Sequence, residues 1–229
     1  MGWNCFATTG FASTYPDTTS AIDSTGATLI VIGYACTNWQ APSLTDSCGN
    51  SWTLWPGSYV GAGNGYSTFA MFYCVNPIAS TNHTFSNGGY HSALAVLAFN
   101  GESPAVDQSN SYTFGPGGQG STVVTGWIMP TENNALLITG TGNFNAPAYS
   151  ASGFTSITYS NAGDACVGMG YAIQATSAAV QATWAVGFPG YGTENAGIMD
   201  FIPSAPAASP TSFGPFQEPF AASFRGPFG

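Results

Sequence analysis

Four consecutive apolar residues, Leu29-Ile30-Val31-Ile32, constrain this chain more than any other feature. A run this short and this rich in β-branched side chains reads as a strand buried on both faces. Downstream, Asp46-Ser47-Cys48-Gly49-Asn50 is a turn signal, because Asp bonds its own backbone two residues on and Gly supplies positive φ. The alternating segment Ser51-Trp52-Thr53-Leu54 follows at once, with Trp52 and Leu54 expected to face inward. Residues 28–55 therefore read as strand, loop, tight turn, strand.

The same pattern returns later in the chain. Ala135-Leu136-Leu137-Ile138 echoes Leu29-Ile30-Val31-Ile32 at an offset of 136 − 29 = 107. Met169-Gly170-Tyr171-Ala172 echoes Met71-Phe72-Tyr73-Cys74 at 169 − 71 = 98, and Gln181-Ala182-Thr183-Trp184 stands where Asn82-His83-Thr84-Phe85 stood. Gly197-Ile198-Met199-Asp200-Phe201 matches Ala95-Val96-Leu97-Ala98-Phe99 at 201 − 99 = 102. Order and spacing together imply an internal duplication, two similar layers that bury each other. The division expected is an N-terminal arm over 1–26 with one edge strand before Pro16, and a β-sandwich over 27–203. Its halves span 27–101 and 131–203, and the connector 102–130 carries one strand over 121–129. A Pro/Phe-rich tail occupies 204–229. The fold class expected is all-β, a jelly-roll-like sandwich of eight to ten antiparallel strands.

Composition supports strands and excludes several roles. Charged residues make up 5% of the 229 residues, so Ser, Thr, Asn, Gln and Gly must cover the surface, and the helix formers Lys, Arg and Glu are nearly missing. One cation, Arg225, against ten carboxylates gives a net charge of −9, which repels phosphate backbones and anionic membranes. Neither nucleic acid nor membrane insertion is expected: the longest apolar run, 27–35, is too short to span a bilayer. The N-terminal residues lack the basic region and apolar core of an export peptide. Cys5, Cys36, Cys48, Cys74 and Cys166 show no CxxC spacing; Cys36 with Cys48 is one conceivable disulfide, but free buried thiols are the expectation.

Chemistry-bearing residues are sparse. His83 and His91 are the only histidines, and neither sits in a Cys/His spacing that would gather metal ligands, so no metal and no cofactor is expected. A single carboxylate at Asp46, with Ser47 and Asn50, falls short of a calcium loop and reads as a structural turn. No GxSxG or Cys-His signature is present, so no catalytic residue is assigned. A carboxylate pair for glycoside hydrolysis is conceivable among Asp46, Glu102, Asp107, Asp164, Glu194 and Asp200, most of which read as turn residues. Trp39, Trp55, Tyr59 and Tyr66 lie among glycines in and after the first hairpin, a composition suited to a sugar platform of ring faces beside polar groups. In the tail, Phe213, Phe216, Phe220, Phe224 and Phe228 recur at helical spacing, but Pro215, Pro219 and Pro227 break a helix. An extended aromatic strap docking on a neighbouring surface is the reading.

The succession TLIVIGYA, TDSCGNSWTL, AMFYCVNPIASTNHTFS, ALAVLAFNG, NNALLITGTG, GMGYAIQATSAAVQATW and AGIMDFIP resembles a duplicated Gly/Ser/Thr-rich β-sandwich domain. That domain occurs in tailed-bacteriophage virion proteins and in secreted bacterial proteins, and its sharpest motif is the Asp-Ser-x-Gly-Asn-x-Trp turn at residues 46–52. The resemblance covers 27–203 and carries no catalytic residues. It implies a non-enzymatic structural protein on a virion surface, assembled in the host cytoplasm, as head decoration or a tail-fibre, receptor-contacting component. A homo-oligomer, with a trimer as first expectation, would contact other virion proteins and host-surface glycans. The competing expectations are an extracellular carbohydrate-binding module and, more remotely, a glycoside hydrolase.

Overall fold

The computed structural model describes residues 2–37, 43–55, 60–61, 68–113, 122–144, 149–160, 165–186 and 195–203. Among them there is no helix. The first half contains β1 (Asn4–Ser13), β2 (Leu29–Cys36), β3 (Leu44–Asp46), β4 (Thr53–Leu54), β5 (Val60–Gly61), β6 (Thr68–Val75), β7 (Phe85–Asn87) and β8 (Ser92–Asn100). The second contains β9 (Pro104–Thr113), β10 (Thr122–Val124), β11 (Ala135–Phe144), β12 (Tyr149–Ala151), β13 (Thr155–Ser160), β14 (Ala165–Gln174), β15 (Thr183–Val186) and β16 (Asn195–Pro203).

The large sheet of the first half runs β1-β8-β2-β6-β4, with β5 also on β6; that of the second runs β9-β16-β11-β14-β13. Strand for strand, the order is the same. The register is the same too: Leu29 pairs with Val75 and Phe99, and Leu136 with Ile173 and Phe201. These triplets are related by the offsets 107, 98 and 102 already visible in the sequence. Even an irregularity is copied, since β1 bulges opposite Phe99 between Cys5 and Ala7, and β9 bulges opposite Phe201.

The two large sheets pack face to face. Leu29, Val31, Phe69, Met71, Leu97 and Phe99 of one meet Leu136, Ile138, Val167, Met169, Met199 and Phe201 of the other in a single buried core. Burying side chains of this size stabilises the fold by ~1.5–3 kcal/mol each. In the pairing between sheets β2 lies against β11, its own copy, while β8 lies against β14 and β6 against β16. The halves thus meet about a pseudo-two-fold axis near β2 and β11. Gly33 and Gly140 mark it: a side chain at Gly33 would meet Met169 Sδ at 2.5 Å, and one at Gly140 would meet Phe69 Cζ of the opposite sheet at 2.5 Å and Met71 Sδ at 3.2 Å.

Each large sheet is also covered on its outer face. β3 and β7 form a two-stranded sheet over the first, where Ile30, Ile32, Tyr34, Phe72, Leu94 and Val96 pack against Phe85. A sheet ordered β10-β15-β12 covers the second through Trp184, Val123 and Val186. This accounts for β2, in which all eight residues are buried, the both-faces strand expected from its apolar run.

The all-β sandwich is as expected, but the described residues form sixteen strands rather than eight to ten. β9, in the supposed connector, is ten residues of PAVDQSNSYT, and its polar composition conceals an edge strand. The strand expected over 121–129 shrinks to β10. The edge strand expected before Pro16 is β1, which pairs along its length with β8, and the buried Trp3 donates Nε1–H to Asn134 O at 3.1 Å, tying the N-terminus to the second half. Leu54, expected inward, is exposed because β4 is a two-residue edge strand.

Gly33→Val should destabilise the protein by about 1–3 kcal/mol through overpacking against Met169. Combined with Met169→Ala, the loss should fall below the sum of the single losses by about 0.5–3 kcal/mol, as read from urea unfolding midpoints.

Candidate functional site

The turn that looked sharpest in the sequence builds a buried polar cluster. β3 ends at Asp46, opposite Phe85 of β7, and Gly49 takes the left-handed conformation (φ 74°) that closes the turn. The Asp46 carboxylate, turned inward, accepts Cys48 N–H at 2.7 Å, Asn50 N–H at 3.2 Å and Trp52 Nε1–H at 2.7 Å. Protein N–H groups thus replace its water. Asn50 extends the cluster, accepting Ile78 N–H at 2.6 Å and donating to Ile78 O at 3.0 Å. Of the Asp-Ser-x-Gly-Asn-x-Trp motif, Asn50 and Trp52 converge on this carboxylate, while Ser47 Oγ accepts Thr84 N–H and Gly49 closes the turn.

His83 approaches from the other side. A backbone bridge to Ile22 holds it, its ring stacks on Phe85 with centroids 4.3 Å apart, and it is fully buried. Its Nδ1 lies 2.9 Å from Ser24 Oγ and its Nε2 3.2 Å from Asp46 Oδ1. Cys48 stands beside them, so that one ligand-type atom from each of Asp46, Cys48 and His83 lies within 4.8 Å of the others. Sequence spacing gave no metal-ligand set; the structure assembles these three residue types from positions 37 residues apart, 83 − 46. The signal that could have found them lies in the duplication. Ala151, at the end of β12 and opposite Trp184, occupies the place of Asp46, and Ala182 precedes Trp184 by two residues as His83 precedes Phe85.

A second carboxylate site lies at the copied bulge. Asp200, at the position of Ala98 in the first half, is fully buried. It accepts Gln108 N–H at 2.9 Å through Oδ1, while Oδ2 has no hydrogen-bond partner. Burial, helped by the nearby Asp107 charge and opposed by the Gln108 N–H, pushes its pKa up to about 7. Asp107 is itself engaged, accepting Thr131 N–H and Oγ1–H at 2.6 and 2.9 Å. Of the carboxylates considered for acid-base work, these two are brought together, but Asp200 is sealed from solvent. Asp164 and Glu194 lie outside the described residues.

The expected sugar platform is altered. Trp55 is 2% exposed and lies between the large sheets, where a side chain at Gly197 would meet its ring at 2.5 Å; its ring face offers nothing to a sugar. The chain turns inward right after the short β4 edge, which the sequence pattern did not reveal. Trp39, Tyr59 and Tyr66 lie outside the described residues, as do Phe213, Phe216, Phe220, Phe224 and Phe228. Trp52 is part-buried, edge-on to Phe85. Exposed rings occur elsewhere: Tyr15 and Tyr90 form an edge-to-face pair at 6.1 Å, and Trp127 is 61% exposed. His91, at the entry to β8, takes a left-handed conformation (φ 51°). All five cysteines are free thiols, Cys36 and Cys48 included. Burial pushes the Cys5 thiol up to about 11, and burial with the Asp46 charge raises that of Cys74.

Comparison with known families, with curated proteins and with solved structures finds no match to this chain.

Asp200 gives a pH dependence with a defined sign. Its folded pKa of about 7 exceeds the ordinary 3.8, so its contribution to stability is full below 3.8 and is lost as pH rises through 7. Asp200→Asn keeps the acceptor for Gln108 without the charge. Its melting temperature should exceed the parent's above pH 7, with the difference vanishing towards 3.8. Trp55→Ala should cost about 3–5 kcal/mol of stability, measured by denaturant unfolding, as a core truncation does.

Proposed function

We propose that this protein is a non-enzymatic structural component of a phage virion exterior, acting in head decoration or in tail-fibre contact with a receptor. The observation that carries the non-enzymatic part is the closure of the Ser24-His83-Asp46 line. Ser24 and His83 are 0% exposed, and the Asp46 carboxylate is held by N–H donors of its own turn. A nucleophile must reach its substrate, and Ser24 Oγ faces only Ser80 and His83.

The virion setting rests on the resemblance in sequence. The segments that carry it, from TLIVIGYA to AGIMDFIP, form the central strands of both large sheets and the turn around Asp46. The surface is suited to contact: charged groups are few, and Tyr15, Ile78, Trp127 and Met129 are each more than 60% exposed. Self-association, with a trimer as first expectation, and contact with other virion proteins or host glycans follow from this reading.

Mass photometry of the purified protein, with immunogold labelling of particles released by the organism that encodes it, tests the proposal. A homo-oligomer and labelled particles are expected. A stable monomer, with label confined to the soluble fraction, would overturn it. A glycan array run on the same material reads whether the contact extends to sugars.

A further inference from the structure

We propose that Asp46, Cys48 and His83 form a binding site for one divalent transition cation of Zn²⁺ type, held by carboxylate oxygen, thiolate sulfur and imidazole Nε2. The inference is independent of the virion reading.

Hydrogen-bond capacity at Ser24 selects the His83 tautomer. Its Oγ lies 3.2 Å from Ser80 O, 3.0 Å from Ser80 N and 2.9 Å from His83 Nδ1. A hydroxyl donates once and accepts twice. All three contacts are used when Ser24 donates to Ser80 O and accepts from Ser80 N–H and from His83 Nδ1–H. That tautomer leaves Nε2 with a free lone pair, 3.2 Å from Asp46 Oδ1 but directed beside it rather than at it. Two electron-rich atoms at that distance repel unless a cation lies between them.

A proton serves poorly here. Although Nε2 is buried and near Asp46, it has no hydrogen-bond partner, because an N–H on this nitrogen points out of line with the carboxylate oxygen. A metal ion, bound at about 2.0–2.3 Å from each ligand, occupies the space between the three residues instead. The ligand atoms already lie within 4.8 Å of one another. A second metal-site feature is present as well: the ring nitrogen that does not bind metal is fixed by a hydrogen bond, here to Ser24.

The duplication supplies the second argument. In the other half a turn forms at the matching place, with Ser152 N–H bonded to Thr183 O as Ser47 N–H is to Thr84 O, though its left-handed residue, Gly153, comes one position earlier than Gly49. There the corresponding residues are Ala151 for Asp46, Gly153 for Cys48 and Ala182 for His83. The turn therefore folds with no ionisable group at these positions. Placing a buried carboxylate and a buried imidazole beside the half-buried Cys48 thiol in the first half needs a cause beyond the turn itself, and a shared cation is one.

The donor set selects the metal. Ca²⁺ and Mg²⁺ prefer all-oxygen shells, whereas one nitrogen, one sulfur and one oxygen suit Zn²⁺ and Co²⁺. A carboxylate and a thiolate neutralise the double charge. The part-exposed Cys48 leaves the fourth tetrahedral position to water. The ion would pin the turn after β3 to the bridge that joins Ile22 and His83.

The test is a Co²⁺ titration of the full chain with its thiols reduced. Expected are one equivalent bound, the visible absorption of tetrahedral Co²⁺, a thiolate charge-transfer band, and displacement by Zn²⁺. Cys48→Ser, which leaves the Cys48 N–H bond to Asp46 in place, should abolish the charge-transfer band and weaken Zn²⁺ binding by about tenfold or more. Cys74→Ser and Cys5→Ser should retain the band. His83→Gln should weaken binding alongside Cys48→Ser, its fold checked by circular dichroism. Absence of a stoichiometric Co²⁺ complex overturns the proposal, as does a band that survives Cys48→Ser or vanishes with Cys74→Ser.

Discussion

The contact on which the rest depends is the burial of one large sheet against its copy. Neither sheet has a polar inner face. Leu29, Val31, Leu97 and Phe99 in one half, and Leu136, Ile138, Met199 and Phe201 in the other, would stand in water if the two were parted. Because the outer faces are also largely apolar, with Thr139, Thr141 and Asp200 the buried polar exceptions on the second, each needs a cover. The short sheets of β3 with β7 and of β10, β15 and β12 supply it. The resulting order of layers, cover, sheet, sheet, cover, follows from strands too apolar to face solvent on either side.

Packing of this kind leaves little room for ionisable groups, and where they occur they are held. Asp46 is ringed by N–H donors from its own turn, and Asp200 takes one from the bulge of β9. Both lie at the seams of the layers, the first at the end of a cover strand and the second beneath an edge strand. The interior is thus specified by close apolar contact. Glycine is used at its tightest point, where Gly33 and Gly140 let the methionines of the opposite sheet approach.

Much of the frame was legible in the sequence because it is written in apolar runs. The echoes of Leu29-Ile30-Val31-Ile32 in 135–138 and of 95–99 in 197–201 translate directly into hydrogen-bonded register. The edges were not legible. β9 carries Asp107, Gln108, Ser109 and Asn110 in sequence, which read as loop, since an edge strand has one side in water and does not need the alternation of an inner strand. Trp55 reads as a loop residue because Pro56 and Gly57 follow it in sequence, and only the inward turn after β4 shows that it belongs to the core. The cluster at Asp46 was half visible, as a turn. Its partner His83 arrives through the pairing of β3 with β7 and through a bridge to Ile22, contacts between segments far apart in sequence that no local pattern encodes.

The pseudo-two-fold arrangement of β2 against β11, with β8 and β6 exchanging places across it, is the geometry by which two identical subunits associate. A pair of separate chains related this way must accept every substitution twice, once on each side of the axis. Joined in one polypeptide, the halves are released from that obligation. One carries an Ala-Ser-Gly turn at 151–153, while the other holds an acid, a thiol and an imidazole in the matching place. Symmetry in the backbone has become the setting for asymmetry in chemistry.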